Sequence, residues 1–299
     1  KALSGQLLGV DAFISPSMVA NLGRNVIAGK NEAGNFNNAT LDNENNLNVN
    51  VSNPKTAYDE LPIAEMTAIA QLTYAYNVNT DMNLITLSGS GVIVQEDNMA
   101  VLSSSTTTES QSILASHITI PYRAGQGVIS RFDAVFTSGH TCTDCRQWIG
   151  VGDTNDGFLM GYDGTDFSVT YRTNSSATTI NQPDWNIDVM DGTGSGSNPS
   201  GMLLDPSKGN VYQISYGSGF GAVNYSVESD TTGNMILVHN IDYNNKNLIP
   251  SSFNPTFPMC AEVYNGTSND DIILKTAMMA SFIEGKNELN IKLIDTEMI

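Results

Sequence analysis

From about Gly89 onward the chain alternates short apolar runs, rich in β-branched and aromatic residues, with clusters of Gly, Asn, Asp and Ser. The clearest stretch runs from Trp148 to Arg172. Three apolar runs (148–151, 158–162 and 167–171) are separated by Asp-Thr-Asn-Asp-Gly and Asp-Gly-Thr-Asp. Those turn residues tolerate positive φ, so the stretch predicts a three-stranded antiparallel meander. Further strands are predicted at 91–95, 99–103, 111–120, 127–136, 202–204, 211–216, 222–228, 235–240, 259–263 and 272–284. Their number, length and turn chemistry predict an all-β fold: a two-sheet antiparallel sandwich, jelly-roll or lectin-like, over residues 89–285.

The flanks pattern differently. In residues 1–56, Ser15, Pro16 and Gly23 mark the start and stop of one short helix, and the Asn-rich run 29–52 suits an extended N-terminal arm. Residues 57–88 are ambiguous. Leu61, Ala64, Met66, Ile69, Ala70 and Leu72 could form a helical face, while 71–78 alternate like a strand. Pro62 and the β-favouring run after it favour extended structure, taken as a connecting or attachment segment. Residues 286–299 add a C-terminal strand or tail suited to pairing with a neighbour. Two loops interrupt the sandwich: a flexible Gly/Ser loop at 191–201 and an Asn/Pro-rich crossover at 242–258. Long connections at the end of a sandwich are where binding usually resides. No heptads and no period of 20 to 50 residues occur, which argues against a coiled-coil shaft or a solenoid.

Composition narrows the partners. Only 15% of residues are charged, too few for a surface of helices with charged faces. The balance of 13 Lys+Arg against 31 Asp+Glu gives a net charge of −18, which repels phosphate backbones, so no nucleic-acid partner is expected. No apolar run approaches the roughly 20 residues of a membrane span. The first residues lack a long apolar core with an Ala-x-Ala ending, so no signal peptide is expected there, and Lys1 reads as a processed terminus or the start of a fragment.

Candidate chemistry is thin. Gly150 to Gly157 resembles a phosphate loop in composition but leads into a strand instead of a helix. Asp153, Asn155, Asp156 and Asp163 offer hard oxygen ligands for calcium, the competing reading being simple turn capping by Asx side chains. The full calcium loop is absent, since Gly164 stands where its Glu would be. Trp185, with Tyr162, Tyr243 and Tyr264, supplies candidate rings for stacking on a sugar, each weighed against a core role. Cys142 and Cys145 in Thr-Cys-Thr-Asp-Cys are read as a loop-stapling disulfide or two free thiols. That reading stands ahead of a zinc site, which would need ligands from Cys260, His117, His140 or His239. Cys260 reads as a buried strand residue and the histidines as structural. Ser195 lacks a nucleophile-elbow context, and pairs such as Asp270 with Asp271 or Asp163 with Asp166 arise by chance among 31 acids, so no enzyme is expected. Of the glycosylation sequons at Asn38, Asn50, Asn174, Asn224 and Asn265, those at Asn174 and Asn265 fall in predicted loops and would be usable acceptors.

Several ordered blocks carry a resemblance: 131–136, 149–167, 185–194, 204–214 and 219–228, with Ser52-Asn-Pro-Lys-Thr-Ala-Tyr-Asp-Glu-Leu upstream and the close at 274–285. Together they resemble a family of virion structural proteins of large double-stranded DNA viruses, notably algal and giant viruses, and of some tailed phages. The resemblance implies a non-enzymatic minor capsid or fibre component located in the virion, for assembly, surface decoration or host attachment. Its partners would be other capsid or fibre proteins and host surface glycans. It carries no catalytic residues and does not place the Cys142–Cys145 loop. An extended arm and free edge strands also lead us to expect a homo-oligomer such as a trimer. The alternative is a lectin-like carbohydrate-binding module, possible calcium assistance coming from Asp153, Asn155 and Asp163 beside Trp185. A sandwich-fold glycosidase ranks third.

Overall fold

The computed structural model describes residues 66–285, except 138, 140, 141, 143 and 218, together with the backbone of residues 28–30 and 36–38. The chain divides into two compact units, Lys1–Pro54 and Lys55–Ile299. In the first, β1 (Ala28–Lys30) pairs antiparallel with β2 (Phe36–Asn38). The predicted helix at 15–23 and the predicted strand at 286–299 lie outside the described residues.

The second unit holds β3 (Met66–Thr73), β4 (Asn83–Ser88), β5 (Val92–Glu96), β6 (Met99–Ser103), β7 (Gln111–Ile120), β8 (Val128–Phe136), β9 (Arg146–Gly152), β10 (Gly157–Asp163) and β11 (Asp166–Thr173). There follow β12 (Ser176–Asn181), β13 (Asn210–Tyr216), β14 (Val223–Glu228), β15 (Met235–Ile241), β16 (Phe257–Tyr264), β17 (Ile273–Thr276) and β18 (Met278–Glu284). They form a seven-stranded sheet, β12-β11-β10-β9-β16-β7-β4, and a nine-stranded one, β15-β14-β13-β8-β17-β6-β5, to which β18 adds by pairing with β8, and β3 by pairing with β18. Every pairing between these strands is antiparallel. The fold is the predicted all-β, two-sheet sandwich, and no helix among the described residues is long and apolar enough to cross a membrane.

Period-two alternation builds the core. Phe132, Ala134 and Phe136 of β8, with Tyr212, Ile214 and Tyr216 of β13, face Ile149 and Val151 of β9, Phe158 and Met160 of β10, and Met259, Ala261 and Val263 of β16. Removing each large side chain from water contributes about 1.5–3 kcal/mol. Phe136 sits edge-on to three rings, those of Phe167, Tyr212 and Tyr162, at 5.3, 5.9 and 6.1 Å between centroids.

The predicted meander is β9-β10-β11, with Trp148 opposite Gly161 and Phe158 opposite Tyr171. Gly164, at φ 62°, makes its second turn. Elsewhere the pattern misleads. Residues 66–73 and 83–88, assigned to a connecting segment, are strands of the two sheets, so the sandwich includes residues ahead of 89. The single strand predicted over 272–284 is two, β17 and β18, lying in line along β8 with a break at Ala277. Residues 202–204 make only an isolated bridge, Leu203 to Asp191. The Gly/Ser loop expected to be flexible is tied around buried Asn198, whose Nδ2 donates to Asp191 Oδ1 at 2.9 Å and whose Oδ1 accepts the Gly201 N–H at 3.0 Å.

Candidate functional site

The candidate ligand residues do not converge. Asp153 Oδ1 accepts the amides of Asn155 and Asp156 at 2.7 and 3.0 Å, an Asx turn between β9 and β10. Asp156 is only 2% exposed. Its Oδ1 accepts the amides of Asn174 and Phe253 at 3.2 and 3.0 Å, and its Oδ2 that of Asn254 at 3.3 Å. Asn155 Oδ1 accepts the Ser175 hydroxyl at 2.7 Å. Asp163 lies at the other end of β10, on the order of 20 Å away along the strand, where Thr179 Oγ1 donates to its Oδ2 at 2.8 Å. Asp153 Oδ1, Asn155 Oδ1, both Asp156 carboxylate oxygens and Asp163 Oδ2 are thus each engaged by local amides or hydroxyls. Among the described residues no group of three or more His, Cys, Asp or Glu side chains could hold a metal.

Trp185, weighed as a stacking ring against a core role, takes the core role: it is 4% exposed, packs edge-on to Phe167 and donates from Nε1 to the Ile180 carbonyl at 3.3 Å. Tyr243 is likewise buried. Tyr122, 47% exposed in the loop between β7 and β8, is an exposed ring that the sequence reading did not name.

The Asp153–Asp156 turn instead braces one end of the sandwich. Through Asp156 it holds the 242–256 crossover. The crossover is tied in turn to the β13–β14 loop, where Ser251 donates from its amide and its hydroxyl to the Gly219 carbonyl at 3.0 and 3.1 Å. Thr173 Oγ1 donates to the Ser251 carbonyl at 2.8 Å. The β7–β8 loop is fixed to β18, with Gly127 N–H donating to Glu284 Oε2 at 3.1 Å and Glu284 N–H to the Gly127 carbonyl at 3.0 Å.

These loops surround an open recess of about 340 Å³, solvent included, lined among others by Tyr122, Gln126, Tyr216, Phe158, Phe257 and Pro255. Its floor is a triangle of rings from both sheets: Phe158, Tyr216 and Phe257 lie 5.1, 5.7 and 5.8 Å apart between centroids. Two residues of the lining each carry a polar atom that is closed off from solvent and lacks a hydrogen-bond partner, Gln126 Oε1 and Tyr216 Oη. Each such atom costs roughly 1–3 kcal/mol unless something satisfies it. Burial pushes the Tyr216 phenol far up from its ordinary range, so it stays an O–H donor at any ordinary pH.

The crossover that lines this recess was singled out by its length, but Gln126 and Tyr216 were not. Gln126 falls in the gap between two predicted strands, and Tyr216 ends a third with nothing to distinguish it from a core tyrosine. The pair Tyr122-Arg123, an aromatic beside a cation in a short loop after Pro121, is the local signal that could have drawn the eye.

A second polar cluster occupies the opposite face of the seven-stranded sheet from the core. Glu262 accepts from Arg146 at 2.6 Å, Arg172 at 2.9 Å and Gln111 at 2.8 Å. Both guanidiniums also lie over the Trp148 ring, at 5.4 and 4.8 Å from its centroid. Cys142 and Cys145 form a disulfide, their sulfurs against the Asn265 carbonyl oxygen. Asn265 itself is fully buried and bonded to Ser105, Thr107 and Ser110, which removes it as a glycosylation acceptor. Cys260 is a buried free thiol, as read from the sequence, and burial pushes its pKa up to about 12.

No family model matches the chain, and no curated protein matches it. Among solved structures it is similar in architecture to one described as "Cell entry of botulinum neurotoxin type C is dependent upon interaction with two ganglioside molecules". The identity is 12% and the TM-score 0.43, over 74% of this chain and 49% of that one. The chain thus spans about half the length of that toxin structure. It is also similar to basic winged bean lectin with Tn-antigen, at 9% identity and TM-score 0.45, over 73% of this chain and 98% of the lectin. A third is lectin I-B4 from Griffonia simplicifolia in its metal-free form, at 10% identity and TM-score 0.44, over 72% and 99%.

Proposed function

We propose that this chain is a non-catalytic carbohydrate-binding sandwich module whose ligand enters the end recess. The observation that carries this is the end recess itself, a loop-built concavity lined by aromatic residues in which the Tyr122 ring is half-exposed. Sugars suit such a site because their hydroxyls both donate and accept, and their C–H faces stack on aromatic rings. In this reading Asp153, Asn155 and Asp156 do not touch the ligand; Asp156 holds the crossover that lines the recess. A glycan array probed with the full chain is expected to give signal that Tyr122→Ala removes. A blank array with the wild-type chain would end this reading.

A second reading concerns where the module works. The ordered blocks between Val51 and Gly285 support placement on a virion surface, and this rests on those blocks alone. Exposed Leu84, Leu87, Val92 and Val94 on β4 and β5, the edge strands of the two sheets, favour self-association there. Mass spectrometry of purified particles and sedimentation of the isolated chain test the two parts separately. A chain absent from particles sinks the first, and a strict monomer at high concentration sinks the second.

A further inference from the structure

Five large apolar side chains stand exposed on three loops at the end of the sandwich that carries the recess. Leu248 is 99% exposed; Ile249 and Phe253 of the same crossover, Phe220 of the β13–β14 loop and Tyr122 of the β7–β8 loop are each about half exposed. The loops converge. Tyr122, Gly219 and Ser252 all line the recess, and the Ser251 amide and hydroxyl both donate to the Gly219 carbonyl. We infer that this end of the molecule docks on a lipid bilayer, with Leu248, Ile249, Phe253 and Phe220 entering the headgroup region around the recess. The inference stands on the exposed rim and not on what the recess takes, so it and the carbohydrate reading fail separately.

Single exposed apolar residues are ordinary, but several on neighbouring loops around one concavity are not. Charge selects the occupant. The whole chain has 31 Asp+Glu against 13 Lys+Arg, yet residues 121–127, 217–222 and 243–258 contain no Asp or Glu and two cations, Arg123 and Lys246. Carboxylates bonded to these loops from outside them are already engaged. Asp156 accepts the amides of Phe253 and Asn254, Glu284 accepts that of Gly127, and Asp242 pairs with Lys246 at 3.3 Å. A carboxylate on such a tip would lose its hydration on entering a bilayer, and these tips carry none.

The rest of the rim is Asn, Ser, Gly and Pro, with the Tyr122 ring and the Lys246 ammonium as amphipathic groups that sit well at a membrane–water boundary. The apolar groups stand on separate loops with polar residues between them, which suits insertion among headgroups better than contact with a flat protein surface. The crossover is also preset. Asn247 donates from its amide to the Tyr243 carbonyl at 3.3 Å just before Leu248, and the bonds of Ser251 anchor the chain just after Ile249. Little ordering entropy therefore opposes insertion.

The experiment is flotation of the full chain with vesicles of phosphatidylcholine alone and of phosphatidylcholine with phosphatidylserine, at about 0.1 M and about 1 M salt. The wild type is expected to float with phosphatidylcholine at both salt concentrations. The double variant Leu248→Asp with Ile249→Asp should partition at least about tenfold more weakly with unchanged Tm, since it loses two apolar insertions. Leu203→Asp, at an equally accessible apolar residue outside the three loops, should float like the wild type. Both native tryptophans are buried, so the emission of a Leu248→Trp variant reports on the tip and should shift to the blue on vesicles. A wild type that floats with no vesicle overturns the inference and leaves the rim to a protein partner. Flotation only with phosphatidylserine that vanishes at about 1 M salt also overturns it, as does a double variant that floats like the wild type. If the double variant has a lowered Tm, the emission of Leu248→Trp decides alone, and an unshifted spectrum sinks the insertion.

Discussion

Asp133 Oδ1 accepts the backbone amide of Ala277 at 2.6 Å and that of Met278 at 3.1 Å, at the point where β17 gives way to β18. Thr276 Oγ1 donates to the same oxygen at 3.2 Å. One side chain of β8 thus satisfies the two amides that the break removes from the sheet ladder, and this lets a single line of chain serve two neighbours, β6 and β3. Asp133→Ala is expected to lower stability by about 1–3 kcal/mol, read in urea unfolding as a lower midpoint with unchanged slope. An unchanged midpoint would mean that water replaces the carboxylate at no cost.

Glu262 gives the pH dependence a sign. Burial alone would push its carboxyl up, but Arg146 and Arg172 outweigh burial and hold it below the ordinary carboxylate range. A folded pKa below the unfolded value of roughly 4.3 makes the stabilisation full above that value and lost as pH falls through the folded one. Tm should therefore decline below about pH 4 in the wild type. In Glu262→Gln that component of the decline should vanish, with a lower Tm at neutral pH. Glu262→Ala, which strands two guanidiniums, should cost about 3–5 kcal/mol. Parallel Tm curves for wild type and Glu262→Gln between pH 3 and 6 would contradict the assignment.

Asp156 links stability to the recess. Asp156→Ala frees the amides of Asn174, Phe253 and Asn254 at once. It is expected to cost about 1–3 kcal/mol and to increase hydrogen exchange across residues 251–257. Asp153→Ala, which loses contacts only within its own turn, should leave that exchange unchanged. Equal exchange in both variants would show that the crossover is held by something else.

The disulfide closes a very short loop, Cys142 to Cys145, three residues apart. Loop-closure entropy for so short a span is only about 2 kcal/mol, so reduction should lower Tm by a few degrees and leave the fold intact. Calorimetry with and without reductant measures this, and global unfolding on reduction would refute it.

What was legible in the chain was local. The β9-β10-β11 meander follows from alternation and Asp/Asn-Gly turns within 25 or so residues, and its strands, antiparallel sense and turns came out as read. β12, with the sequence Ser-Ala-Thr-Thr-Ile-Asn, has no apolar alternation and is a strand because β11 supplies its pairing, a tertiary fact. The same reason hid the site. Asp156 has the right atoms for a metal, but their partners sit 18 and nearly 100 positions away along the chain. Trp185, flanked by polar residues, turns inward because Phe167 offers it a ring to pack on. Gln126 and Tyr216 matter only because two loops and two sheets bring them to one recess.

The pairing of β3 with β18 has a consequence for how the molecule comes into being. Among the described residues β18 is the one strand that pairs with β3, and the Thr67 hydroxyl meets the Gly285 carbonyl across 218 positions of chain. At ribosomal speeds of about 5–20 residues per second, β3 waits on the order of ten to forty seconds for its partner to emerge. Through that interval the apolar face of β3, and the flank of β8 once it has emerged, are open to wrong partners. Contacts of such long range also slow the final closure. Closure of the β3 edge of this sandwich is therefore a late event that waits for β18, and chains truncated before β18 are expected to be captured by chaperones or to aggregate.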